Sequence, residues 1–190
     1  DPALHDDLTD AIRAIANELG RNGALLQIDE PVLSQGMRDY APALRRIDAI
    51  ASEVPRDEAS VHVCGALTRS KVLPALLTLK NISTLDIAFA SRTERSNLDL
   101  LEESDWRDHS MRLGAGSIDV QVLELSALMA PSDVASLLRA IEERVGEDTL
   151  RYVLPDCGLR ATPLELVPAL LRNLREGWGM AHGRPGPETS

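Results

Sequence analysis

Short, continuously apolar runs alternate along this chain with amphipathic stretches of helical period, and that alternation constrains its fold more than anything else. The runs are Ala24–Ile28, Ser60–Cys64, Thr84–Phe89, Ser117–Val122 and Arg151–Leu154. Between them the apolar residues return at helical spacing. Leu8, Ile12, Ile15 and Leu19 line one face of a helix over about 7–19 that stops at Gly20, and Leu44, Ile47 and Ala51 line another over about 41–53. A third is predicted over about 70–79, where Pro74 is tolerated near the first turn. A short one follows near 97–103. Ser132 is the expected N-cap of a helix with the stripe Val134, Leu137, Leu138, Ile141 and Val145, ended by Gly146. Thr162 and Glu165 have the spacing of a capping box for the last helix, although Pro168 delays or bends its regular part.

Strands that are apolar throughout, each followed by a helix, make a parallel sheet covered by helices: an α/β fold. Two architectures share that pattern, an open doubly wound sheet and a (β/α)8 barrel. No Gly-x-Gly-x-x-Gly follows a strand, which weakens the nucleotide-binding version, and Gly114-Ala-Gly116 is expected to precede its strand. As a barrel, the chain lacks its first strands: five β/α units fit, not eight. Such a sheet exposes apolar edges, so self-association or a second chain is expected to complete it.

Of 190 residues, 44% are hydrophobic, enough for one core, and residues 1–180 read as one partial barrel domain. The formal charge of −10 repels phosphate backbones, which argues against nucleic acid as a partner. No apolar run approaches the roughly 20 residues of a membrane span. There is no signal-peptide pattern, and two cysteines make no disulfide framework, so a reducing cytoplasm is expected. The chain opens on Asp1 without Met, as a fragment or processed product would. Residues 181–190, rich in Pro and Gly, read as a disordered tail.

The residues able to do chemistry lie at strand ends. His62 and Cys64, two apart on a strand, face the same way, and Cys157 lies just past the last strand. In a barrel such positions converge on one mouth. Imidazole with two thiolates is a donor set that zinc prefers, and three protein ligands leave a position for substrate. By itself a His-x-Cys is a weak signal, since Cys is often a small core hydrophobe. His5, His109 and His182 sit in polar contexts and read as solvated; Trp106 and Trp178 have no evident partner.

Three short words sharpen this reading: Gln27-Ile-Asp-Glu-Pro31, Val61-His-Val-Cys-Gly65 and Pro155-Asp-Cys-Gly-Leu159. In this order they resemble the C-terminal catalytic domain of the cobalamin-independent methionine synthase family, over about 23–177. The resemblance implies a (β/α)8 barrel of the methionine synthase type, with zinc held by His, Cys, Glu and Cys. His62, Cys64 and Cys157 match three of these ligands, and Asp29 matches the residue that holds the amino group of homocysteine. The expected glutamate is absent, because Ala88 occupies its position; Asp86 lies two residues earlier on the same face, with a shorter reach. Gln121 stands near a histidine found in longer members.

The implied activity is zinc-dependent transfer of a methyl or other alkyl group to a thiol such as homocysteine, from a folate or a corrinoid protein. A free thiol of pKa near 8.5 is mostly protonated at neutral pH, and zinc removes that proton while leaving the sulfur nucleophilic. The alternative is a non-catalytic barrel subunit kept for partner assembly, which Ala88 and the short chain favour.

Overall fold

The structure, a computed structural model, describes residues 2–183. Five strands form one parallel sheet: β1 (Leu26–Asp29), β2 (Ala59–Val63), β3 (Thr84–Ala88), β4 (Arg112–Ile118) and β5 (Leu150–Pro155). Their order in the sheet is their order in the chain. A doubly wound sheet reverses direction at a switch point, whereas a barrel adds each strand beside the last. The order therefore selects the barrel type, present here as five of its units.

Seven α-helices, joined by short 3-10 turns, separate the strands among the described residues: α1 (Pro2–Arg21), α2 (Ala41–Ala51), α3 (Leu67–Ser70), α4 (Leu73–Leu76), α5 (Glu103–Asp108), α6 (Pro131–Val145) and α7 (Val167–Ala181). The core lies between the outer face of the sheet and these helices. Val61, Val63, Leu85, Ile87, Leu113 and Ala115 meet Leu76, Val134, Leu138, Ile141 and Leu170 there, all buried. No described helix is long and apolar enough to cross a membrane.

The sheet is open at both sides. β1 and β5 have one neighbour each and are only partly buried, while β2, β3 and β4 are almost wholly buried. The stripe expected to bury α1 is exposed instead: Leu8 by 56%, Ile12 by 38%, Ile15 by 61% and Leu19 by 44%. α1 packs against α2 through another face, where Ala16 is buried and Gly20 lies so close to Val54 that a Cβ would sit 2.7 Å from its Cγ1. An Arg46–Asp6 ion pair fastens the two helices, and an Arg13–Glu53 pair ties α1 to the turn after α2. Nothing in the described residues covers the leucines.

Several sequence expectations are corrected. The fourth strand is Arg112–Ile118, so Gly114 and Gly116 lie on it and not before it. They are glycines because the neighbouring strands fill their place: a Cβ at Gly114 would run into the Asp86 carboxylate, and one at Gly116 would lie 2.9 Å from the Cα atoms of Ala88 and Asp156. The helix expected over 70–79 is broken by Lys71, whose φ of 54° is left-handed, into α3 and α4. Ala130, not Ser132, precedes α6. The Thr162 hydroxyl donates to the Val120 carbonyl instead of capping α7, which starts at Val167 with Pro168 in its first turn. Trp106 is fully buried, and Trp178 stacks on His182 at 3.6 Å, so His182 is not solvated; it also bonds Glu142 at 2.7 Å. Of the expected tail, Ala181 closes α7 and residues 184–190 lie outside the described residues.

Candidate metal centre

Strand register brings the polar residues together. Asp29 pairs with His62, His62 with Asp86, Asp86 with Gly114, and Gly114 with Tyr152, one row running across all five strands. Residues paired in a parallel ladder point to the same face, so this row lies on the inner side of the sheet. Cys64 follows the end of β2, and Cys157 follows β5 by two residues. The donor atoms of His62, Cys64 and Cys157 all lie within 4.8 Å of one another. His62 Nε2 is 2.9 Å from Cys64 Sγ, which is 3.1 Å from Cys157 Sγ.

Burial sets the chemistry of these groups. His62 is 9% exposed, and desolvation lowers its pKa, keeping the ring neutral and able to donate a lone pair. The charge of Asp29 and the backbone of Asp86 act against that shift without reversing it. Burial, then the hydrogen bond to Cys157, pushes the Cys64 thiol up to about 12. A coordinated cation reverses that, because a ligating thiol is deprotonated outright. Cys157 is exposed, so the cluster opens to solvent on one side.

Two clamps fix the loops that carry the cysteines. The Asp156 carboxylate, 3% exposed, accepts hydrogen bonds from the backbone N–H groups of Phe89, Ala90 and Ser91 at 2.9–3.1 Å. This ties the residue before Cys157 to the loop after β3. Burial pushes its pKa up to about 7, against the pull of those N–H groups. On the other side the Asn97 amide donates to the carbonyls of Gly65 and Ala88, and its oxygen accepts from Leu67 N–H. The residue after Cys64 is thereby tied to the same loop.

With that geometry in place, likeness to known proteins becomes specific. The family model described as "Cobalamin-independent synthase, Catalytic domain" matches residues 3–178. The chain belongs to that family. A methionine synthase of Methanothermobacter marburgensis is 38% identical over 169 residues, covering 88% of this chain and 51% of the relative. A 5-methyltetrahydropteroyltriglutamate–homocysteine methyltransferase of Vibrio harveyi is 26% identical over 185 residues, 90% of this chain and 23% of the relative. The B12-independent methionine synthase of Shewanella sp. W3-18-1, solved in complex with selenomethionine, shares the fold with a TM-score of 0.75 at 18% identity. That match covers 93% of this chain and 54% of the other. The chain thus spans about half the length of the methionine synthases it matches.

In this member of the cobalamin-independent synthase family, the three sulfur and nitrogen donors named from the sequence meet at one point. Asp29 ends β1 on the same face, exposed, with Gln27 donating to its Oδ1 at 2.8 Å, and its charge is felt by His62 and Cys64. Ala88 is on the inner face and 1% exposed, so its methyl offers no ligand. Gln121 lies exposed in the loop after β4. Sequence reasoning passed over Glu94, whose charge also acts on His62, Cys64 and Asp156. No motif marks it; only the loop's path brings it there. Asp86 is 2% exposed, and its Oδ1 has no hydrogen-bond partner. Burial raises it to about 6.

Proposed function

We propose that this chain is the thiol-activating part of a methyltransferase, holding zinc through His62, Cys64 and Cys157 and passing a methyl group to a homocysteine-like thiol. The observation that carries this is the convergence of one imidazole and two thiols within 4.8 Å, at strand ends 93 residues apart. The donor set fits the ion: neutral imidazole and thiolate are its preferred ligands, and three of them leave a coordination position for substrate. The charges around it agree. Asp29, Asp86, Glu94 and Asp156 stand around the cluster, and none has an ion pair among the described residues. A dication there neutralises an otherwise repulsive group of acids.

Zinc bound at such a site makes a substrate thiol a thiolate at neutral pH. The chain's own residues do the rest. His62 and the cysteines place that sulfur at the sheet's C-terminal edge. Asp29, at the end of β1 and unburied, holds the ammonium of an amino-acid substrate. A folate-type methyl donor is drawn from the Vibrio relative's name; nothing in these names points to a corrinoid protein. The two unpaired cysteines suit a reducing cytoplasm.

A second reading rests on the open sheet and the uncovered leucines of α1. Here the barrel is a subunit without turnover, kept for assembly, and another segment or a second chain pairs with β1 and β5. A partner that closes the barrel is common to both readings.

Cobalt in place of zinc separates them. In the cobalt-loaded chain, homocysteine should strengthen the sulfur-to-cobalt charge-transfer band, and homoserine, its alcohol counterpart, should not. No response to homocysteine would overturn the thiol-activation reading.

A further inference from the structure

We propose that Glu94 supplies the carboxylate of this metal centre, its side chain turning toward the cation held by His62, Cys64 and Cys157. This rests on the metal reading above and adds a residue to it. Glu94 is the first residue of the 3-10 turn Glu94–Leu100. Its position is set from both sides. Its backbone N–H donates to Ser91 Oγ, and Ser91 N–H is held by the carboxylate of Asp156, the neighbour of Cys157. Three residues on, Asn97 grips the carbonyl of Gly65, the neighbour of Cys64. The loop is therefore pinned to both cysteine-bearing ends, and Glu94 lies between the two pins.

The side chain is half-buried and has nothing else to do. Among the described residues its carboxylate makes no hydrogen bond and no ion pair. Arg95, the adjacent cation, donates to the Ala90 carbonyl instead. An unpaired acid beside two thiols is unfavourable unless a cation joins them, and Glu94 then becomes the most available anion.

The other carboxylates suit the role less well. Asp86 is short, and its unpartnered Oδ1 lies against Gly114. Asp156 spends both oxygens on backbone N–H groups. Asp29 is bonded by Gln27 at the open edge of the sheet. Glu94 has three side-chain torsions on an anchored backbone and no bond that would have to break for it to turn.

The test is zinc affinity, measured on the full chain by competition with a chromophoric chelator, for the wild type, E94Q and D99N. Asp99 is an exposed acid on the same turn and controls for general charge. Glu94→Gln should weaken zinc about 10- to 100-fold, the usual range for losing a group that supports a metal site, and shift the cobalt(II) absorption of the loaded chain. Asp99→Asn should leave both unchanged, and an unchanged melting temperature should show that E94Q is folded. Equal affinity in E94Q and wild type would overturn the role of Glu94 while leaving the metal site standing. Equal weakening in E94Q and D99N would reduce it to background charge, which also overturns it. A wild type that takes up no zinc would bring down the metal reading itself.

Discussion

The sulfurs of Cys64 and Cys157 lie 3.1 Å apart, although 93 residues separate them along the chain. Two strands, β2 and β5, with β3 and β4 between them, are needed to bring those sulfurs so close. The approach is completed by clamps that involve neither sulfur.

Asp156 is the stronger clamp. Replacing it by Ala strands the backbone N–H groups of Ala90 and Ser91, each costing about 1–3 kcal/mol when buried without a partner, while that of Phe89 keeps the Gly116 carbonyl at 2.8 Å. Asp156→Ala is expected to lower the melting temperature by about 4 °C or more. Zinc affinity should fall with it, since Cys157 is the next residue. Calorimetry and chelator competition measure both, and a variant as stable as wild type would refute the clamp.

Zinc binding should depend steeply on pH. Both thiols must lose a proton, Cys64 from a pKa pushed up to about 12 by burial, whereas His62, kept neutral by desolvation, loses none. Affinity should therefore rise about 100-fold per pH unit between roughly pH 6.5 and 8, ten for each proton released. A slope of one proton would show that only one cysteine is a ligand.

Asp86 gives a different pH signature, in stability. Burial raises its folded pKa from 3.8 to about 6, so the fold prefers the protonated form. That stabilisation is fully present below about pH 4 and is lost as pH rises through about 6. Asp86→Asn cannot ionise. Its stability advantage over wild type should open between these values and level off near about 3 kcal/mol, from the shift of about two units. Denaturant melts at pH 4, 5, 6 and 7 would show it, and a gap independent of pH would contradict it.

Gly116 has no room for a methyl group, with Ala88 Cα, Asp156 Cα and Asp156 Oδ1 each 2.9 Å from a built Cβ. Two of these are backbone atoms, which cannot turn aside. Gly116→Ala should cost about 1–3 kcal/mol, as overpacking does. It should also loosen the Asp156 clamp. A variant with wild-type stability and zinc affinity would contradict this packing.

The sequence made the α/β class legible because each buried strand is apolar throughout and each helix carries its own period, as in Val134, Leu138 and Ile141. His62, Cys64 and Cys157 were legible through the short words around them, Val61-His-Val-Cys-Gly65 and Pro155-Asp-Cys-Gly-Leu159, since a His-x-Cys alone is a weak signal. What stayed hidden depends on neighbours distant in sequence. Gly114 and Gly116 look like turn residues until Asp86, Ala88 and Asp156 are placed beside them. The exposed stripe of α1 reads as buried because its spacing says nothing about whether a partner is present. Glu94 has no motif, and only the bonds of Ser91 and Asn97 carry it to the cluster.

Zinc content tests the central claim most directly, measured on the purified chain beside a Cys157→Ser variant. About one zinc per wild-type chain, lost in the variant with the fold intact, is the expected result. A folded wild type that holds no zinc even after incubation with the metal would contradict the account and leave the barrel as an assembly subunit.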